Sequence, residues 1–544
     1  SRPGRSKITR GRVIGAALIA TGGAGAAAAV LLTREETATE LSATTGEAVP
    51  SASGANNGDH ASYGGAASAP TPAAAQPALP KTLDVEHLLR RATYGPDDAL
   101  RAEVAALGTT AWLARQLNPA ALADPGGDTV AALFPHLSLG IPEAQATITD
   151  GAAFQRDLAA AHLGRAIWST RQLFEVMVDF WSNHFNITCP SDKTQLSRHR
   201  FDADVIRKGA LGRFEDLLQA TAIHPAMLEY LDNGGSTGRN PNENYARELL
   251  ELHTVGLGGG YGEQDVRQAA LLLTGYQVTD GKPTFVPARH YVGAVKIMGF
   301  AHANDARAAG RPATVAFLRY LARHPATATG LARKLAIRFV ADDPPAALIT
   351  RLAQVYLQND TAIAPVLSAL LSSAEFAASG GSKLRRPMER LAAAARLLGV
   401  QPGGDPQGLI ELYWMLDAAG HRPLGWIRPD GYPDAASWWQ SPAAALGQFN
   451  ADAQLVHAWW PKHLQNPGPT KLLRTPPRTR AAAIEAVGAR VLGRPLTAQE
   501  QAATAALLAA SQLPTTLPAG SWEQKETVGL IATLLLNSPA HLTR

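Results

Sequence analysis

Apolar residues recur at i, i+3, i+4 and i+7 from Leu83 to the C-terminus, in segments of 10 to 18 residues punctuated by glycine and proline. That period fits amphipathic helices and excludes most strands, which need alternation at period two. Alternation is scarce here. Its best instance is the stretch Thr279 to Phe300, where Val278, Phe285, Val286, Tyr291 and Val295 stand among prolines and glycines. The expected class is therefore mainly α, a large multi-helical domain over 81–544. A small β or loop excursion near 279–300 marks a candidate boundary between halves 81–300 and 301–544. With 46% hydrophobic and 18% charged residues in a chain of 544, apolar material suffices for a large core.

The N-terminus reads differently. Arg2, Arg5, Lys7, Arg10 and Arg12 precede any acid, and Val13 to Leu32 is an uncharged aliphatic and glycine run long enough in principle to span a bilayer. Residues 1–36 are thus expected to be an export signal or a membrane anchor. Thr9-Arg10-Gly11-Arg12 is similar to a twin-arginine signal without adjacent arginines. Arg34, Glu35 and Glu36 interrupt before any small-x-small cleavage site, so both fates stay open. Residues 37–80 are rich in alanine, serine, threonine, glycine and proline and read as a disordered linker. The protein is accordingly expected outside the cytoplasm, secreted or anchored. Its formal net charge is +4, and setting aside the five leading basic residues leaves about −1. So neutral a body offers no extended phosphate-binding surface, and nucleic acid is not an expected partner. Cys189 is the single cysteine and builds neither a disulfide nor a thiolate metal site.

The most legible helix opens at Asn240-Pro241-Asn242-Glu243. Asn240 suits the N-cap, Pro241 the first helical position and Glu243 the capping box, and Gly256 suits the stop. At 100° per residue, Glu243, Asn244, Arg247, Glu248 and Glu251 share one side while His253 faces the apolar one. Glu248 and Glu251, one turn apart, have the arrangement for acid/base work or cation binding, with Arg247 keeping one ionised. The same spacing also fits a surface ladder of Glu243, Arg247 and Glu251.

A second helix, Arg171 to Asn186, is apolar nearly all round and should be buried. Gln172, Glu175, Asp179, Asn183 and Asn186 nevertheless form a narrow polar stripe, whose carboxylates need partners or a wet cavity. His184 reads either as a core histidine bonded to a carbonyl or as a ligand or proton carrier. Further on, Trp426, Tyr432, Trp438 and Trp439 surround Arg428-Pro429-Asp430-Gly431-Tyr432-Pro433-Asp434, a rigid loop that suits stacking on a sugar ring, with Asp430 or Asp434 accepting hydroxyl hydrogen bonds. A core-covering loop is the plainer reading of the same residues. Lys296 and His290 are lesser polar candidates. The glycine-rich stretches Gly234 to Gly238 and Gly256 to Gly262 follow no strand and read as connectors.

At these residues the chain resembles the bacterial domain-of-unknown-function 1800 family. The resemblance rests on His87-Leu-Leu-Arg-Arg-Ala-Thr-Tyr-Gly95, Phe180-Trp-Ser-Asn-His-Phe185, Asn242-Glu-Asn-Tyr-Ala-Arg-Glu-Leu-Leu-Glu-Leu-His-Thr-Val-Gly256, Lys334-Leu to Phe339-Val and Pro429-Asp-Gly-Tyr-Pro433, and spans essentially all of 83–544. That family is uncharacterised, large and commonly exported, so the resemblance implies a boundary and an exported protein but no established reaction. It also implies that Asn244, Arg247, Glu248 and Glu251 act together, as a site or as a buried network.

Two functions follow as expectations. One is an extracytoplasmic enzyme, a hydrolase acting on a glycan or other envelope polymer. It would use Glu248, Glu251, Asp179 and His184 as catalytic groups, and Asn244, Arg247, Asn186, Trp426, Asp430 and Tyr432 as substrate contacts. The other is a non-catalytic binding or assembly protein of the envelope. No metal site is expected, although His184 or His253 would be the residues to supply one.

Overall fold

A computed structural model describes residues 84–544. The leading basic and apolar segment and the linker lie outside the described residues. Helices run from Val85–Ala92 to Pro539–Leu542, and the architecture is mainly α. Strands occur in two antiparallel hairpins. Tyr276–Thr279 pairs with Lys282–Phe285, and Val295–Ile297 pairs with Phe300–His302. The expected excursion near 279–300 is this pair of hairpins. One hydrophobic cluster extends from Leu88 to Leu536 and includes Val295 and Ile297, so the hairpins do not divide the core. Among the described residues, no helix is long and apolar enough to cross a membrane.

Three long helices position the polar groups considered below. Gln172–His184 is buried because its apolar residues leave no outer face, and Trp181, fully buried, satisfies its indole by donating Nε1–H to the Ala210 carbonyl at 2.9 Å. Gly151–Trp168 packs on Pro387–Leu398 and Gln407–Ala418. Small side chains at Ala159, Ala160 and Ala161, and at Ala392 to Ala395, allow that close approach. Any Cβ at Gly164 would stand 2.8 Å from Leu409 Cδ1. Pro325–Phe339 starts with proline at its first position, and His324 Nδ1 accepts the Ala326 N–H at 3.2 Å.

The glutamate-bearing helix differs from its expected form. Its N-cap is Asn242, whose Oδ1 accepts the Tyr245 N–H at 3.0 Å, while Asn240 turns back to pair with Thr237. Asn242 Nδ2 also donates to the Leu231 carbonyl at 2.9 Å and its N–H to Ser236 Oγ at 3.0 Å, so three bonds fix this residue. The α-helix covers Glu243–Glu248 and then widens into a π-helical turn over Leu249–His253. Thr254 Oγ1 donates to the Leu249 carbonyl at 2.7 Å, and the Gly256 N–H closes on the Leu250 carbonyl at 3.0 Å. Such wide turns are rare and lie frequently at functional sites. The 100° arithmetic therefore stops at Glu248.

Candidate active site

Asp179 does not join the glutamates. It is buried and ion-paired with Arg386, with His162 Nε2 at 3.5 Å. Arg386 also contacts Glu389 at 3.1 Å, and Glu389 in turn receives Arg338 and, at 3.2 Å, Arg544. Burial alone would raise the Asp179 carboxyl, but Arg386 and His162 outweigh it and hold the group well below its ordinary range. Glu389 follows the same pattern, burial being overcome by Arg338, Arg544 and Arg386. This assembly is an interior ion network. Asp434 belongs to it as well, 3.0 Å from Lys383 and held low by Lys383 and Arg386 against the opposing effect of burial.

The second group of charges faces solvent. Glu248 and Glu251 are half-buried, Asp430 is exposed, and Tyr230 is half-buried beside them. Burial first, then the negative charges of Glu251 and Asp430, push the Glu248 carboxyl up. Glu251 accepts the Tyr261 hydroxyl at 2.9 Å. Asp430 accepts Trp426 Nε1–H at 2.6 Å and pairs with Arg428 at 3.2 Å, and Arg428 lies over the Trp426 ring at 5.1 Å.

His184 reaches this site through Lys334, whose Nζ is 2.9 Å from His184 Nδ1 and 3.2 Å from the Leu252 carbonyl. The other ring nitrogen, Nε2, lies 3.2 Å from the His253 carbonyl and donates to it. Nδ1 is therefore the acceptor. Burial, then Lys334 and His253, hold His184 well below its ordinary value, so it stays neutral and is not a proton carrier near neutral pH. Lys334 is exposed as a residue, while its Nζ packs against the His184 ring and the Leu252 carbonyl. The packing around that atom governs its acidity, and desolvation brings it to about 8 in spite of Asp430. Nothing in helical spacing singles out this lysine, because its partner lies 150 residues away.

The aromatic loop is fastened to the Gln172–His184 helix by its polar stripe. Asn183 Nδ2 donates to the Tyr432 carbonyl at 2.9 Å and Asn183 Oδ1 accepts the Tyr432 N–H at 2.7 Å. Asn186 Nδ2 donates to the carbonyls of Trp426 at 2.9 Å and Arg428 at 2.6 Å. Gly431, at φ +76°, passes so close that a Cβ would stand 2.2 Å from the Asn183 carbonyl oxygen. The loop thus splits its two aspartates, Asp434 inward and Asp430 outward.

Several expected substrate contacts are already engaged. Asn186 is buried under the loop, Tyr432 donates its hydroxyl to the Arg422 carbonyl at 2.9 Å, and Arg247 forms a two-pronged pair with Glu263 at 2.8 Å. Asn244 is exposed. Trp439 is buried, whereas Trp438 is 53% and Ile427 78% exposed, so the rim presents Trp426, Ile427 and Trp438. His290 is a buried brace between the Thr274 carbonyl and Asn304 Oδ1, each at 2.9 Å. Lys296 lines an open groove of about 870 Å³ beside Asp265 and His302, which none of Glu248, Asp430 and Lys334 lines. Among the described residues, no group of three or more histidine, cysteine, aspartate or glutamate side chains is placed to hold a metal ion.

No curated protein and no solved structure matches this chain. A family model does, over residues 87–543, under the description "Protein of unknown function (DUF1800)". Its span takes in the interior network except Arg544, the solvent-facing site and the loop between them, and the chain therefore belongs to the DUF1800 family.

Proposed function

We propose that this protein is an extracytoplasmic enzyme that hydrolyses a glycan or another cell-envelope polymer at the Glu248–Asp430 site. The observation that carries the reading is the proximity of two carboxyls in unlike settings beside an aromatic ledge. Glu248 is half-buried with its carboxyl pushed up, and Asp430 is exposed and held by the Trp426 indole and Arg428. Unequal environments divide acid and base roles between paired carboxyls. Trp438, 53% exposed and braced edge to face by Trp426, offers a flat apolar surface on which a sugar ring stacks. Residues 1–36 would deliver the protein outside the cytoplasm as signal or anchor, and a reporter active only outside the cytoplasm, fused after residue 36, tests that part.

The catalytic part is tested by release of soluble fragments from isolated envelope polymer. Glu248→Gln and Asp430→Asn should each lower the rate by about 10²-fold or more. Wild-type release by both variants removes the reading. Exposure of Ile427 and Trp438 favours a second reading, a non-catalytic envelope binder. In that case Trp438→Ala would weaken sedimentation with the polymer while no variant or wild-type protein released fragments.

A further inference from the structure

The ammonium of Lys334 has three N–H bonds, and two are assigned. One meets the lone pair of His184 Nδ1 at 2.9 Å, the other the Leu252 carbonyl at 3.2 Å. Two fixed donors on a tetrahedral nitrogen set the direction of the third. His184 is itself held in the required tautomer, because its Nε2–H is committed to the His253 carbonyl. A chain of carbonyl, imidazole and amine thus runs from the π turn to the surface. It ends in a third N–H with no protein acceptor among the described residues, in the field of Asp430 and on a residue that opens to solvent.

From this geometry we infer that Lys334 is the general acid of the site, donating its third N–H proton to the leaving oxygen of the polymer, with His184 as the residue that positions it. The inference rests on the hydrolytic reading above and deepens it. In the step, the Lys334 N–H bond breaks as the proton passes to the oxygen whose bond to carbon is cleaving, and Asp430, the carboxylate whose charge reaches the amine, takes a proton from the water whose oxygen bonds that carbon. The next turnover begins once Asp430 returns its proton to solvent and the Lys334 amine regains one, so no oxidant or further reactant is needed.

The charged and titratable groups facing Nζ agree with that role. Asp430 comes from the loop, His184 from the Gln172–His184 helix and His253 from the π turn. Both histidines are neutral near neutral pH, and Asp430 favours the ammonium, while desolvation brings the group to about 8. It is charged at neutral pH and still acidic enough to give up its proton.

Two measurements on the full chain test this. The first is trace acetylation with acetic anhydride between about pH 6 and 10, read peptide by peptide by mass spectrometry with the exposed Lys471 and Lys525 as references. Lys334 should show half-maximal labelling near 8. In His184→Phe, which removes the ring acceptor, that midpoint should move. A midpoint coincident with the references in wild type overturns the inference, whatever the fate of the polymer assay. The second is the pH profile of polymer release. Wild-type kcat should fall on the alkaline side through about 8. Lys334→Met should lose about 10²–10⁴-fold in kcat with little change in KM, and Lys334→Arg should shift the alkaline limb upward. Full activity in Lys334→Met alongside loss in Glu248→Gln overturns the role of Lys334 and leaves the carboxylate site standing. Wild-type activity in both overturns the carboxylate site too.

Discussion

Asn183 grips the backbone of Tyr432 from both sides, donating to its carbonyl at 2.9 Å and accepting its N–H at 2.7 Å. The asparagine amide carries the one donor and the one acceptor that the task needs on a short stem. Asn183→Ala should leave both backbone groups unpaired and cost about 1–3 kcal/mol. Denaturant unfolding would measure the loss, and limited proteolysis should show faster cutting between Trp426 and Asp434. Unchanged proteolysis would mean that Asn186 alone suffices to hold the loop.

Gly431→Ala attacks the same junction from the loop side. Its φ of +76° is a conformation that alanine adopts poorly, and the added carbon would strike the Asn183 carbonyl oxygen. The expected cost is about 1–3 kcal/mol, and because both changes act at one contact they should be non-additive. A double-mutant cycle by thermal unfolding checks it. Additive losses would show that the loop yields at Gly431 without disturbing Asn183.

Glu248→Gln should behave unlike an ordinary loss of charge. Because burial and the neighbouring acids raise the Glu248 carboxyl, its ionised form costs stability in the folded state above that raised value, and the cost vanishes once the group is protonated in both states. The glutamine variant should therefore melt higher than wild type at about pH 8, by up to about 1 kcal/mol given the partial exposure, and equally at about pH 4. Parallel melting curves at the two pH values decide it, and a variant less stable at both would sink the like-charge account.

Asp179→Asn should be severe. It removes one partner of a buried ion pair and leaves Arg386 without that counter-charge, for a cost of about 3–5 kcal/mol. Asp179 and Glu389 are also held low in the folded state, so it binds fewer protons there than the unfolded chain. Their contribution is complete above the ordinary carboxyl range and is lost as pH falls below it. Urea titrations from about pH 7 down to about pH 3 should show wild-type stability falling. In Asp179→Asn the fall should be shallower.

The sequence made the helices legible because burial imposes a period on the chain, and it made the hairpins visible as the one place where that period breaks. It also exposed the polar stripe of Gln172–His184, although not its purpose. Asn183 and Asn186 serve the loop, and Asp179 serves Arg386, which lies 207 residues away. Pairings at such separations leave no mark on local spacing. Neither does the π turn, because Leu249–His253 reads as an ordinary helical continuation, and hydrogen-bond widening is a tertiary response rather than a pattern of residue types. Asn240 and Asn242 are chemically equal as caps. The Leu231 carbonyl, which accepts Asn242 Nδ2, and the pairing of Asn240 with Thr237 separate them.

Two helices each hold a stake in both groups of charges. Gln172–His184 carries Asp179 in the interior network and His184 in the outer pair, and Pro325–Phe339 carries Arg338 in the network and, one turn earlier, Lys334 in the outer pair. The interior pairs therefore act as a rivet that sets the spacing of the outer pair. Such an arrangement lets the exposed rim at Trp426 to Asp430 drift in sequence and acquire new ligand preferences, while the amine and imidazole keep their registration. Divergence among proteins built on this plan should accordingly be freest in the outer half of the loop and most restrained where Asp434 meets Lys383.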